Sequence, residues 1–83
     1  MNKRKLLKTI LSGSKHIRFD DMVGLVEAFG FRLSRTQGIH YIFVHDAIPE
    51  LVNMQDVKGQ SKPYQVRQFL KLIERYNLEL EDD

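Results

Sequence analysis

Cysteine is absent from the 83 residues. Its absence excludes disulfides, thiol catalysis and cysteine-ligated zinc. Small secreted domains usually lean on disulfides, so a cytoplasmic home is favoured. Long apolar runs are missing too: nothing approaches the ~20 residues that a bilayer-spanning helix needs, and no membrane partner is expected. The opening MNKRKLLKTIL is basic and then apolar, but Lys8 interrupts the apolar part and no small-residue cleavage site follows. It reads as a helix of the mature protein rather than a signal peptide. There is no internal repeat, low-complexity segment or domain linker, so one domain over residues 1–78 is expected. A domain this small buries only about 60–65% of the surface its unfolded chain exposes.

What is present is a folding composition. Hydrophobic residues make up 42%, with five Phe and three Tyr, which is too apolar for a disordered chain. Net charge is only +2, from 13 basic and 11 acidic residues. Its distribution is uneven. Four acids (Glu79, Glu81, Asp82 and Asp83) sit in the last five residues, ELEDD, which reads as a disordered acidic tail. Residues 1–78 therefore hold 13 basic and 7 acidic residues, a balance of +6. A basic body fits a polyanion partner, and a merely soluble surface equally well.

Periodicity predicts a helix over 3–12 (Leu7, Ile10 and Leu11 inward) and a second over 19–29. In the latter Phe19, Met22, Val23, Val26 and Phe29 form the apolar stripe, and Gly30 follows as a stop. Residues 31–36, FRLSRT, alternate and read as a strand with one buried face. Gln37-Gly38 is a turn signal, 39–45 a second strand, Asp46 to Glu50 a hairpin loop around Pro49, and 51–57 a weaker third strand. Ser61 is the expected N-cap of a last helix over 62–76, with Pro63 in its first turn and Val66, Phe69, Leu70 and Ile73 inward. Arg67, Lys71 and Arg75 recur every four residues as a basic stripe. The order α-α-β-β-β-α predicts an α+β fold: a three-stranded antiparallel sheet with the helices on one face and the other face open.

The stretch GIHYIFVH, residues 38–45, carries the chemistry. His40 stands at the start of an apolar strand, either as a packing residue or as a catalytic one at the mouth of the sheet. His45 is five residues on, so a regular strand places it on the opposite face and weighs against a two-histidine site. His16 falls in an interhelix loop and reads as solvated. Tyr41 and Phe43 share a face, to pack on the helices or to stack on bases.

The segments FDDMVGLVEAFGF, RTQGIHYIFVH and VNMQDVKGQSKPYQVRQFLKLIE together resemble the HicA family of small toxin ribonucleases, over about Phe19 to Leu78. That family's core motif is Gly-Ser-His followed by an apolar strand and often a second histidine. Gly38, His40, Phe43 and His45 match it, while Ile39 stands in place of the serine. The resemblance implies a double-stranded-RNA-binding-like fold with an additional N-terminal helix, cleavage of mRNA through His40, and a HicB-type antitoxin that covers the site.

Metal-free RNA cleavage needs a base for the ribose 2′-OH and positive charge for the phosphorane. Histidine suits the first role, with an unperturbed pKa of ~6.5. Arg35, Lys58, Lys62, Arg67 and Lys71 are the candidate phosphate contacts, and Gly38 leaves room for an RNA backbone. No cofactor is called for. Two other functions fit the same residues: an RNA- or DNA-binding module of this fold that does not cut, and a protein-docking role for the basic stripe and open strands. The oligomeric state is left open, since the edge of the third strand is free to pair.

Overall fold

The computed structural model describes residues 2–81. Its elements are α1 (Lys3–Leu11), α2 (Phe19–Ala28), β1 (Arg32–Gln37), β2 (His40–His45), β3 (Ile48–Gln55) and α3 (Pro63–Tyr76). The order α-α-β-β-β-α and the antiparallel sheet β1-β2-β3 agree with the prediction. Among the described residues no helix is long and apolar enough to cross a membrane.

The helices cover one face of the sheet. Tyr41, Phe43, Val52 and Met54 point into them, and Phe43 and Met54 are wholly buried. Phe19 of α2 lies against Tyr41 at 4.8 Å between ring centroids, so Tyr41 is a packing residue. Phe69 of α3 meets Phe29 and Phe31 edge-on, each at 5.7 Å. These contacts join α2, α3 and the sheet into a single core, and α1 adds Leu6 and Ile10 to it.

Five expectations are corrected. In α1 Leu6 and Ile10 are buried, whereas Leu11, expected inward, is 65% exposed. None of the six β1 residues is buried: the strand is an edge, bulged at Ser34, and Leu33 remains 45% exposed. Its predicted inner face is filled by Phe31, one residue upstream. The loop expected over 46–50 is only Asp46-Ala47, because His45 pairs with Ile48 and β3 begins there. Pro49 is accepted inside β3 because β3 is an edge strand, where a missing N–H breaks no ladder.

Ser61 does not cap α3; Lys62 occupies the N-cap position without a side-chain bond. Ser61 is buried, and its N–H donates to Ile17 O at 2.9 Å, beside a second tie from Phe19 N–H to Gly59 O. Those ties stitch the 56–61 loop to the α1–α2 connection and hold Ser61 away from the helix. At the other end, Asn77 adopts a left-handed conformation (φ +54). Its N–H reaches Glu74 O and that of Leu78 reaches Ile73 O, a Schellman ending. The chain then packs back instead of leaving as a disordered tail. Leu78 and Leu80 lie on the core, and Glu81 N–H donates to Ala28 O at 2.7 Å. Of the expected tail 79–83, residues 82 and 83 lie outside the described residues. Gly30 (φ +96) serves this arrangement twice, since a Cβ there would meet Glu81 Oε2 at 2.8 Å and His45 Nε2 at 2.9 Å.

One polar lock joins the sheet to α3. Tyr76 Oη donates to Glu50 Oε1 at 2.6 Å, and Arg75 Nη1 donates to Glu50 Oε2 at 3.0 Å. The phenol's hydrogen bond, and then the nearby guanidinium, hold the Glu50 carboxyl below its ordinary 4.5, while the same carboxylate raises Tyr76 above its ordinary 10.0. A depressed carboxylate stabilises the fold above its unfolded pKa, and that contribution is lost as pH falls through the folded value. A raised phenol stabilises below its unfolded pKa and loses that contribution as pH rises through the folded value. Tyr76→Phe is therefore expected to lower the urea midpoint between pH 5 and 9, with the gap from wild type closing below pH 4 and again above pH 10. A gap that stays constant across that range contradicts the lock.

Candidate nucleic-acid interface

His40 is placed by a tight turn. Gln37 and His40 pair across the two-residue loop Gly38-Ile39. Gly38 takes φ +59, the positive value that the first position of a II′ hairpin turn requires. Open space surrounds the position where a side chain of residue 38 would begin. Ile39 is 48% exposed at the tip, and its carbonyl accepts from Asp56 N–H at 3.0 Å, which ties the turn to the segment after β3.

Register assigns the open face of the sheet. His40, Ile42 and Val44 point away from the face that buries Phe43. Their neighbours on β1 are Gln37, Arg35 and Arg32, and Asn53 of β3 lies opposite Ile42. The half-buried His40 is thus framed by amides: Gln37 on one side, Gln55 on the other, and Asn53 diagonally placed with Oδ1 3.4 Å from Nδ1. Gln55 is held in turn by α3. Gln65 Nε2 donates to its Oε1 at 3.0 Å, Tyr64 Oη donates to the same oxygen at 3.3 Å, and Gln55 N–H donates to Gln65 Oε1 at 2.7 Å.

The basic residues divide into groups. Arg32 is ion-paired with Asp46, whose carboxyl its hydrogen bond and charge hold below the usual range. Arg35, two residues from Gln37 on the same strand, has no ion-pair partner among the described residues. Lys58 stands at the apex of the exposed 56–60 turn with φ +54, and Asp56 Oδ1 accepts from Gly59 N–H there. Lys62 opens α3, its ammonium 5.9 Å from the Tyr64 ring centre. Between this segment and Lys15-His16 lies an open hollow of about 500 Å³.

Arg67 and Lys71 line separate grooves. Arg67 borders a groove beside Ile17 and Val66, whereas Lys71 borders a different one between α3 and β3, lined by Leu51 and Asn53. Lys71 is nine residues along the chain from Lys62, about 13 Å of helix rise. Arg75, the third member of the expected stripe, is engaged with Glu50.

His45 occupies the other face, as alternation predicts. Its ring meets Phe31 edge-on at 4.9 Å, and Nδ1 accepts from Ala47 N–H at 3.0 Å, closing the β2–β3 hairpin. It is a structural residue and shares no site with His40. The amides Gln37, Asn53 and Gln55 were not singled out by the sequence. Asn53 faces Ile42 only because the β2–β3 register shifts between Phe43 and His45; regular pairing continued from His45–Ile48 would put residue 51 there, and no local sequence signal marks that shift.

Comparison with known proteins gives no match to a family model, to a curated protein or to a solved structure. The geometry therefore stands by itself. It separates the two strand histidines by role, and urea denaturation tests the separation. His45→Ala is expected to cost about 1–2 kcal/mol, from the lost aromatic contact and hairpin bond. His40→Ala, on the open face, is expected to stay within about 0.5 kcal/mol of wild type. Equal losses contradict the assignment.

Proposed function

We propose that this chain is a HicA-like toxin ribonuclease, of double-stranded-RNA-binding-like fold, that acts in the cytoplasm and cleaves mRNA without metal. A HicB-type antitoxin is its protein partner. The observation that carries the reading is the position of His40. It opens β2 on the uncovered face of the sheet, beside Arg35, which has no ion-pair partner among the described residues, and a glycine turn with free space above it.

The chemistry follows from those groups. The imidazole of His40 takes the proton of a ribose 2′-OH. The 2′ oxygen attacks the adjacent phosphorus, and the 5′ oxygen leaves and is protonated by water, whose hydroxide takes the proton back from the His40 imidazolium. The products are a 2′,3′-cyclic phosphate and a 5′-hydroxyl. Charge gathering on the phosphorane oxygens is met by Arg35, and Lys58 and Lys62 hold neighbouring phosphates along the turn at the start of α3. Arg67 and Lys71, farther along α3, contact phosphates beyond that stretch. Ile39 adds an exposed apolar surface next to the scissile position, where the family's serine would add a hydroxyl.

A second reading, an RNA- or DNA-binding module of this fold that does not cut, draws on one observation. His45 lies on the opposite face, so the second strand histidine is not available as an acid for the leaving oxygen.

Incubation with a long single-stranded RNA in EDTA separates the two. Wild-type protein is expected to yield discrete fragments and His40→Gln none, with RNA binding retained by both. Arg35→Ala and Lys62→Ala should each weaken binding and reduce the slope of log K against log salt by about 0.7. Binding without cleavage by wild type favours the module, and full cleavage by His40→Gln contradicts the ribonuclease.

A further inference from the structure

We infer that Asn53 is the positioning residue of His40: its side-chain oxygen holds the imidazole as the Nδ1–H tautomer and leaves the Nε2 lone pair as the base. The inference rests on the ribonuclease reading for its consequence, but not for its geometry.

The geometry comes from register. His40 faces Gln55 and Ile42 faces Asn53, so His40 and Asn53 are diagonal neighbours on the open face. Diagonal positions lie within reach of long or ring side chains. Here Nδ1 and Oδ1 are 3.4 Å apart. An amide oxygen only accepts, so the ring nitrogen that faces it carries the hydrogen. Nε2 is then unprotonated in the neutral ring and available to a 2′-hydroxyl.

An amide suits this task better than a carboxylate. The oxygen accepts from Nδ1–H whether the ring is neutral or charged, so taking a proton at Nε2 requires no reorientation. A carboxylate would also favour the imidazolium and keep the base occupied near neutral pH. Both residues stand on sheet strands rather than loops, which gives the pair a rigid base. The surroundings support the choice: the register neighbours Gln37 and Gln55 are also neutral amides, and Gln55 is locked by Tyr64 and Gln65. Arg35, opposite Ile42, is the charged group on this face nearest in register.

The test uses the full chain labelled with ¹⁵N-histidine. Long-range ¹H–¹⁵N spectra at alkaline pH report the tautomer of each ring, with His16→Gln and His45→Gln supplying the assignments. The expected result is a dominant Nδ1–H form for His40, although free histidine favours Nε2–H, and reversion toward Nε2–H in Asn53→Ala. In RNA cleavage, Asn53→Ala is expected to lower kcat about tenfold with KM changed less than twofold, the size of effect seen when a partner that orients a catalytic ligand is removed. Asn53→Asp should recover kcat and move the acid limb of the pH profile to higher pH. An Nε2–H tautomer in wild type, or one unchanged by Asn53→Ala, overturns the inference. So does a kcat loss that Asn53→Asp fails to rescue on the alkaline plateau of the pH profile. If wild type does not cut RNA, the ribonuclease reading fails while the tautomer still decides the role of Asn53.

Discussion

Burial of Phe43 is the constraint on which the arrangement depends. Its ring is wholly enclosed between the sheet and the helices, in the middle of the central strand. Side chains alternate along a strand, so fixing Phe43 inward fixes Tyr41 inward and His40, Ile42 and Val44 outward. A slip of one residue would place His40 in the core and Phe43 in water. That slip forfeits roughly 3 kcal/mol of burial for the aromatic ring alone. The apolar character of the strand and the exposure of its first histidine are therefore consequences of one packing choice.

The remaining polar structure keeps the two faces distinct. On the helix side, His45 is spent on the β2–β3 hairpin and on Phe31, and Glu50 is spent on Tyr76 and Arg75. On the open side the groups around His40 are neutral amides, with Arg35 as the free cation among the described residues. The 56–61 loop is stitched to both the β1–β2 turn and the α1–α2 connection through Asp56, Gly59 and Ser61. That stitching brings Lys58 and Lys62 to the end of the sheet where His40 stands. The grouping of these basic side chains results from loop ties rather than from a run of basic residues.

Much of this was legible in the sequence, because the signals were strong and local. The apolar spacing of α2 and α3, the glycine stops at Gly30 and Gly38, and the β-branched run 39–45 specify element type and order almost without tertiary information. What escaped depends on neighbours distant in sequence. β1 alternates like a half-buried strand, but the helix layer does not cover the sheet edge, so Leu33 stays exposed. Pro49 reads as a loop residue until β3 is known to be an edge strand. Ser61 has the chemistry of an N-cap and is instead drawn to Ile17. Glu79 and Glu81 stay exposed as expected, but the tail reads as disordered, whereas Leu80 between them finds the core. Asn53 was invisible because its meaning is a register, and that register includes a shift between Phe43 and His45 that strand boundaries alone do not carry. The basic stripe of α3 is divided for a related reason: four-residue spacing drifts about 40° per step on a helix, enough to send Arg67 and Lys71 to different grooves.

The central claim is that an outward histidine on this sheet drives attack by a ribose hydroxyl. The most direct measurement is mass spectrometry of the ends formed from three matched oligonucleotides: RNA, its fully 2′-O-methylated form, and DNA. The account predicts that only the unmodified RNA is cut, leaving 2′,3′-cyclic phosphate and 5′-hydroxyl ends, while the other two are bound intact. Cleavage of the 2′-O-methyl strand, or products that carry 5′-phosphates, would contradict it.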